Sequence, residues 1–508
     1  MKRRIIGIIL LCGLSVGIFA GCGKEESSTV ANESGLGRSE DVSKESEGAT
    51  KASEVSEPTS SEEVKQELPK VKEPYTDASG KVYELQIDPA TGEAYDLGGM
   101  EVVIRADYLV QHPTEGRTPE EEDILKYQQW AQETYNFTIR EEMVSATSLA
   151  DEFVGYVDAG DDGNNYIFRM KEDNETARAM HSGYMYPLSE LDCLNFSEEK
   201  YQQNKVHEQY SIGDTVYGFK AGMVEPGVGL YFNKRLLEEA GVDPECLYDM
   251  QANGTWTWDA WIDIMEKVQK DNDGDGSIDV YGYDGTYIDI LTATFCSNGA
   301  ELVGKENGMY TYQLEDAVTL QAVDWYQNSL LKYQHDTMAD GEFNTIHESF
   351  QDAECAFLVD SSFIGKESLF QMWKKLNDEV GFVVFPKGPE ASDYVSCWTE
   401  RALVIPACYD KEKAWKIAFA YDVYNKENSF YVGPYHIKAY EEGKFDTRAV
   451  KETLPILLKN GVIVHHNMIP DLFIDIRFIG NVDEGLSVDE ILSYYREDIK
   501  ALIQAANE

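Results

Sequence analysis

The sequence predicts an α/β protein of two lobes, each a mostly parallel sheet with helices on both faces. Two observations carry this. Short apolar runs that read as strands alternate with capped, helix-periodic segments through the body of the chain. That body, residues 75–508, also exceeds the usual size of one domain, so two are expected.

The chain opens MKRRIIGIILLCGLSVGIFAGCG. Lys2, Arg3 and Arg4 form a basic start, Ile5 to Phe19 an apolar stretch short for a membrane span, and Ala20-Gly21 lead into Cys22. This is the layout of a secretory signal. Its end, FAGC, resembles the bacterial lipobox, which implies removal of residues 1–21 and a fatty acyl (palmitate-type) lipid on Cys22. Residues 22–74 are rich in Ser, Glu, Lys and Gly with few large apolar side chains. They cannot bury enough surface to offset ordering entropy, and as a flexible tether they reach on the order of 40 Å. Residues 75–97 form an N-terminal extension to the body.

A net charge of −48 over 508 residues excludes nucleic acid and direct adhesion to an anionic bilayer. Beyond Cys12 and Cys22 lie Cys193, Cys246, Cys296, Cys355, Cys397 and Cys408, with no C-x-x-C pair and no zinc spacing. Disulfides and buried thiols are both compatible with that pattern.

In the body, GGMEVVIRADY is a turn and a strand. TPEEEDILKYQQWAQETYNF is a helix with Thr118 as N-cap, Pro119 first and Glu121 completing a capping box. YIFRM is a strand, and NETARAMHSG a helix that Gly183 ends. VGLYFNKRLLEEAG gives a strand through Phe232 and a helix that Gly241 ends. TWDAWIDIMEKVQK starts at Thr257 with Trp261, Met265 and Val268 on one face. ECAFLVD and VGFVVFP are buried strands; YDKEKAWKIAFAYDVYN is a helix capped by Asp410; SVDEILSYYREDIKALIQ has a capping box of Ser487 and Glu490.

YFNKRLLEEAGVDPE, followed by GTWTWDAWIDIMEKVQKDNDGDGSIDVYGY, resembles the family 1 extracellular solute-binding proteins of bacterial ABC importers. SGYMYPLSEL, GDTVYGF, FVVFPKGPE and ERALVIPACYDKEKAWKIAFAY resemble further segments of that family in the same order. The resemblance implies a periplasmic-binding-protein-like fold of type II with a cleft between lobes. It places lobe 1 at 98–220 and 399–448, and lobe 2 at 221–398 and 449–508. It implies a carbohydrate, of oligosaccharide kind, bound in the cleft, hinge closure, ABC permease subunits as partners, a monomeric binding protein and no catalysis. Location is extracytoplasmic, at the membrane through the lipid.

In that family, sugar binders line the cleft with aromatic rings, which cover the apolar face of a pyranose, and with polar groups that satisfy its hydroxyls. Matching positions here are Phe232, Phe363 and Phe473; Arg169, where some relatives carry an aromatic; Trp398, Glu400 and Arg401 at the second crossing; and Asp360.

DNDGDGSIDVYG places Asp271, Asp273 and Asp275 at positions 1, 3 and 5 of a calcium loop, with Gly276 at 6, Ser277 at 7 and Asp279 at 9. Gly282 stands where a closing glutamate belongs. Three alternating aspartates repel one another unless a cation neutralises them, so a structural Ca²⁺ is expected, its last ligand unassigned. Two other functions compete. A carbohydrate-active enzyme needs two carboxylates, which this acidic chain has in abundance. A cell-surface adhesin needs only the anchor. No G-x-S-x-G, H-E-x-x-H or phosphate loop occurs, and His465-His466, adjacent in a strand-like run, would point to opposite faces.

Overall fold

The computed structural model describes residues 72–109, 119–145, 148–222, 227–337, 345–366, 376–398, 400–426, 443–473, 478, 480–483 and 485–508. The signal, Cys22, the tether to residue 71 and the N-cap Thr118 lie outside the described residues. In chain order the elements that build the lobes are β1 (Met100–Ala106), α1 (Pro119–Tyr135), β2 (Phe137–Met143), α2 (Leu149–Ala159), β3 (Tyr166–Met170), α3 (Asn174–His181), β4 (Gly218–Phe219) and β5 (Val228–Asn233). They continue as α4 (Trp258–Val268), β6 (Tyr281–Gly285), α5 (Tyr287–Ser297), β7 (Cys355–Ser361), β8 (Val380–Val384), β9 (Ser396–Trp398), β10 (Ala402–Val404), α6 (Lys411–Tyr424), β11 (Gly461–Ile463) and α7 (Val488–Ala505).

Local chemistry sets the helix ends. Thr257 accepts from the Ala260 amide, Asp410 from Lys413 and Asp173 from Thr176. Ser487 and Glu490 form the reciprocal capping box. Each such cap satisfies an orphan amide and contributes about 1 kcal/mol. Gly183 and Gly241 follow their helices at φ +79° and +74°, the left-handed stop that glycine adopts without a Cβ clash.

The two largest sheets among the described residues have the orders β2-β1-β3-β10-β4 and β6-β7-β5-β8. In each, all strands but one run the same way, as expected of mostly parallel sheets. β1, β2 and β3 are parallel, as are β6 and β7, whereas β10 runs antiparallel to β3 and β5 antiparallel to β7. The reason is topological. β5 and β10 are the first strands after the chain crosses between lobes. They enter beside the carboxyl ends of the parallel strands, Val228 opposite Ser361 and Ala402 opposite Met170, so they must run the other way.

One apolar core surrounds the second sheet, with Trp256, Trp261, Tyr231, Phe357 and Phe382 fully buried; another, with Tyr135, Ile167 and Phe419, backs the first. Phe445 stacks on Phe382 at 4.5 Å in the core around the second sheet. A third cluster bridges the lobes: Trp398, Ile463 and Met468 pack with Phe168, Met170, Met180 and Tyr210. Arg178 also pairs with Asp471, and Lys305 Nζ donates to the carbonyls of Glu208 and Ser211 at 2.8 and 2.6 Å. Lys70–Glu508 accordingly holds together as one unit.

β9 and β11 pair in parallel between the sheets. Gly461 lies flat on the Trp398 indole, where a Cβ would come within 1.6 Å of the ring. Cys397 of β9 is disulfide-bonded to Cys296 in the last turn of α5, with Cα atoms 6.5 Å apart. Cys193, Cys246, Cys355 and Cys408 are free thiols.

Candidate ligand cleft

In α/β sheets, ligands bind outside the carboxyl ends of the strands. Here the two strands that follow a crossing, β5 and β10, enter at those ends, so the same edge of each sheet lies at the junction of the lobes. Leu109 after β1, Met143 at the end of β2, and Ile288 and Phe363 after β6 and β7 are all exposed. Single exposed apolar side chains are ordinary. Their concentration at strand ends in both lobes is what a binding surface requires.

A cavity of about 310 Å³ opens at this edge of the first sheet. Tyr108 and Leu109, Arg169, Lys220, Glu400 and Arg401 line it, with Tyr421, Tyr424 and Asn425 from the end of α6. Its charges are fixed in pairs: Arg169 with Glu141, Lys220 with Glu400, and Arg401 with Asp107. Arg401 is bidentate, Nε to Oδ1 at 2.9 Å and Nη2 to Oδ2 at 2.7 Å. Arg169 and Arg401 both lie against the Tyr108 ring, 4.8 and 5.1 Å from its centre, a cation–π arrangement that holds the ring still.

Burial works against the charge of Arg401, but its bonds to Asp107 win and hold its pKa up. Beside it Glu172, 5% exposed, is pushed up to about 7 by burial, with Arg401 pulling the other way and Glu400 reinforcing the shift. Tyr424 is pushed up to about 12, by burial and then by Glu141, and so stays a hydroxyl donor. The walls thus offer rigid donors and acceptors with aromatic surface between them. That suits a polyhydroxylated solute, whose hydroxyls need both kinds of partner.

Of the residues expected at the site, Arg169, Glu400 and Arg401 are brought together in the cavity. Phe363 and Phe473 are exposed, at 40% and 37%; Phe363 follows β7 in a 3₁₀ turn and Phe473 has φ +42°. Phe232, Trp398 and Asp360 are corrections. Phe232 is wholly buried, its ring against Gly381, Tyr248 and Phe357: β5 is covered on both faces, so no side chain of it reaches a cleft. Trp398 is 4% exposed and bonded through Nε1 to the Leu457 carbonyl at 3.2 Å, so its ring is packed and offers no open face for stacking. Asp360 is buried, taking His347 Nε2 at 2.6 Å and its neighbour's amide, Ser361, at 2.6 Å. It orders the Phe363 turn from behind. Tyr108, Lys220 and the last turn of α6 escaped sequence reasoning; for Tyr108 the available signal was its place just past a strand.

In the acidic loop, carboxylate oxygens of Asp271, Asp273 and Asp275 lie within 4.8 Å of one another. Asp271 accepts from the amides of Gly274 and Gly276 at 2.6 and 2.8 Å, and the Gly276 bond leads the effects that hold its pKa low. Three converging carboxylates fit a hard dication. Asp279 gives one oxygen to the Asn272 amide at 2.6 Å, and Ser277 hydrogen-bonds through its own amide to Asp275 at 2.7 Å. Gly282 is packed against Tyr333 and Met265 and contributes no ligand. His465 and His466 lead from β11 into a 3₁₀ turn, and burial pushes both down to about 4, keeping them neutral.

No helix among the described residues is long and apolar enough to cross a membrane. A family model described as bacterial extracellular solute-binding protein matches residues 199–421. No curated protein sequence matches the chain. Among solved structures, the cyclic α-maltosyl-1,6-maltose binding protein from Arthrobacter globiformis superposes with a TM-score of 0.57 at 12% identity, covering 80% of this chain and 100% of that one. The GacH receptor of Streptomyces glaucescens GLA.O, solved unliganded and with acarbose, gives 0.51 at 16% identity over 80% of this chain and 99% of that one. UgpB from Mycobacterium tuberculosis, in complex with glycerophosphocholine, gives 0.50 at 15% identity over 76% and 94%. At such identities the likeness is one of fold. Joined to the family match over residues 199–421, it gives the chain a two-lobed α/β fold similar to that of bacterial extracellular solute-binding proteins.

Proposed function

We propose that this protein is the solute-binding component of an ABC importer, monomeric and non-catalytic, held outside the cell by a lipid on Cys22. It takes a carbohydrate, of oligosaccharide size, between its lobes and presents it to permease subunits when they close. The observation that supports this best is the coincidence of three features at the strands' carboxyl ends: the entry of β5 and β10, exposed apolar side chains from each lobe, and the cavity of paired charges around Tyr108. The likeness in fold to the A. globiformis cyclic α-maltosyl-1,6-maltose binding protein and to the S. glaucescens GacH receptor, solved with acarbose, favours a saccharide over a charged solute.

Closure follows from differential contact: a solute shifts the lobes only as far as it binds the closed form better. Turning a mostly open population into a mostly closed one takes about 10⁴-fold preference, or roughly 5.5 kcal/mol. Rings and hydroxyl partners supplied from both lobes are the source of such a preference. In the acidic loop a Ca²⁺ held by Asp271, Asp273 and Asp275, with Asp279 and Ser277 completing its shell, has a structural role. Titration calorimetry against linear and cyclic oligosaccharides tests the reading. Saturable heat with unchanged saccharide is expected. Product formation would make the chain a carbohydrate-active enzyme, and absence of binding to every saccharide would leave the adhesin.

A further inference from the structure

The wall of the cavity contributed by α6 is held from outside. The segment 72–97 lies along α6 and α1 and touches α6 near both ends. Towards the start, Tyr95 packs on Trp415 and Phe419, each ring centre 4.9 Å away. Past the last turn, Lys426 is 8% exposed, paired with Asp123 of α1 and 3.9 Å from Asp77. Asp123 also accepts from the Tyr75 hydroxyl at 2.8 Å and the Ala78 amide at 3.1 Å. Trp130 of α1 donates to the Glu73 carbonyl at 2.9 Å, and the Tyr135 hydroxyl takes the Gln86 amide at 2.9 Å. Tyr75, Tyr83, Tyr127 and Trp130 interlock beneath these bonds, with ring centres 4.8 to 6.4 Å apart.

A buried cation between two carboxylates persists only where its geometry is tightly supported, because each charge loses its hydration. Asp77, on the 72–97 segment, and Asp123 provide that support, and Lys426 directly follows the cavity residues Tyr424 and Asn425. Asn425, 7% exposed, folds back to the Tyr421 carbonyl at 2.7 Å, so the three wall residues and Lys426 form one short rigid run. We propose that residues 72–97 act as a strap positioning this wall, with Lys426, Asp77 and Tyr75 as positioning residues on which solute affinity depends although none of them lines the cavity. The proposal rests on the cavity being the solute site, and its first test needs no solute.

Hydrogen exchange on the full chain, without saccharide, compares wild type with Lys426→Met and with the milder Tyr75→Phe. Exchange at the Tyr421–Asn425 amides is expected to rise at least tenfold in Lys426→Met and less in Tyr75→Phe, with β5 and β7 of the other lobe unchanged. Unchanged exchange at the wall, or a rise spread evenly over both lobes, would overturn the strap. With maltotetraose as the probe, Kd should rise at least tenfold in Lys426→Met; equal affinity in both proteins would also overturn it. If wild type ignores maltotetraose, that counts against the solute reading, and the exchange pattern alone decides the strap.

Discussion

Removing the Cys296–Cys397 disulfide tests how firmly the second crossing is rooted. The bond joins α5 to β9, the last strand before β10 of the other sheet, and encloses a sequence separation of 101 residues. For a loop of that length, the chain-entropy argument gives about 4.7 kcal/mol of stabilisation at 25 °C. Both sulfurs are buried, Cys296 at 5% and Cys397 at 4% exposure, so alanine is a better replacement than serine, whose hydroxyl would need a partner. The Cys296→Ala/Cys397→Ala variant should lose about 3–5 kcal/mol in urea unfolding, with a larger m-value as the unfolded chain expands. Because each single replacement already breaks the bond, each should cost nearly as much as the pair. A double-variant loss below about 1 kcal/mol, or single losses that simply add, would refute the reasoning.

Phe232→Ala should cost about 3–5 kcal/mol in stability through the cavity it leaves, read by urea titration, and should leave saccharide affinity of the folded protein unchanged. Glu172→Gln should stabilise in a pH-dependent way. The folded pKa of about 7 lies above the ordinary value of 4.5, so the native state holds the proton more tightly. Stability therefore falls as pH rises between those values, by up to about 3 kcal/mol. The variant should match wild type at pH 4 and exceed it at pH 8 in thermal melts; equal curves at both pH values would contradict the assignment. A calcium chelator should lower Tm by several degrees in wild type and not in Asp273→Asn/Asp275→Asn, with saccharide binding at 25 °C retained.

What the sequence made legible was local chemistry. Thr257, Asp410 and the Ser487–Glu490 pair are caps because their side chains reach amides two or three residues on, and each stands in the structure as expected. Strand direction was not legible. β5 and β10 carry the same apolar runs as the parallel strands, and only their place after a crossing turns them round. The same limit explains Phe232. An unbroken apolar run signals burial on both faces, and all six residues of β5 are buried, yet a match by position to ring-bearing relatives put that side chain in the cleft. Arg169, Glu400 and Arg401 reached the cavity because charged residues at strand ends need partners there. Tyr108, Lys220 and α6 were missed because the cavity joins segments about 300 residues apart. The disulfide and the docking of 72–97 on α1 are likewise long-range pairings that spacing alone does not encode.

The most direct measurement is a crystal structure with the tightest-binding saccharide from the calorimetric panel. One solute should touch Tyr108 or Arg401 from the first lobe and Phe363 from the second, with the lobes closed around it. A solute lodged wholly on one lobe, or away from both strand edges, would contradict this.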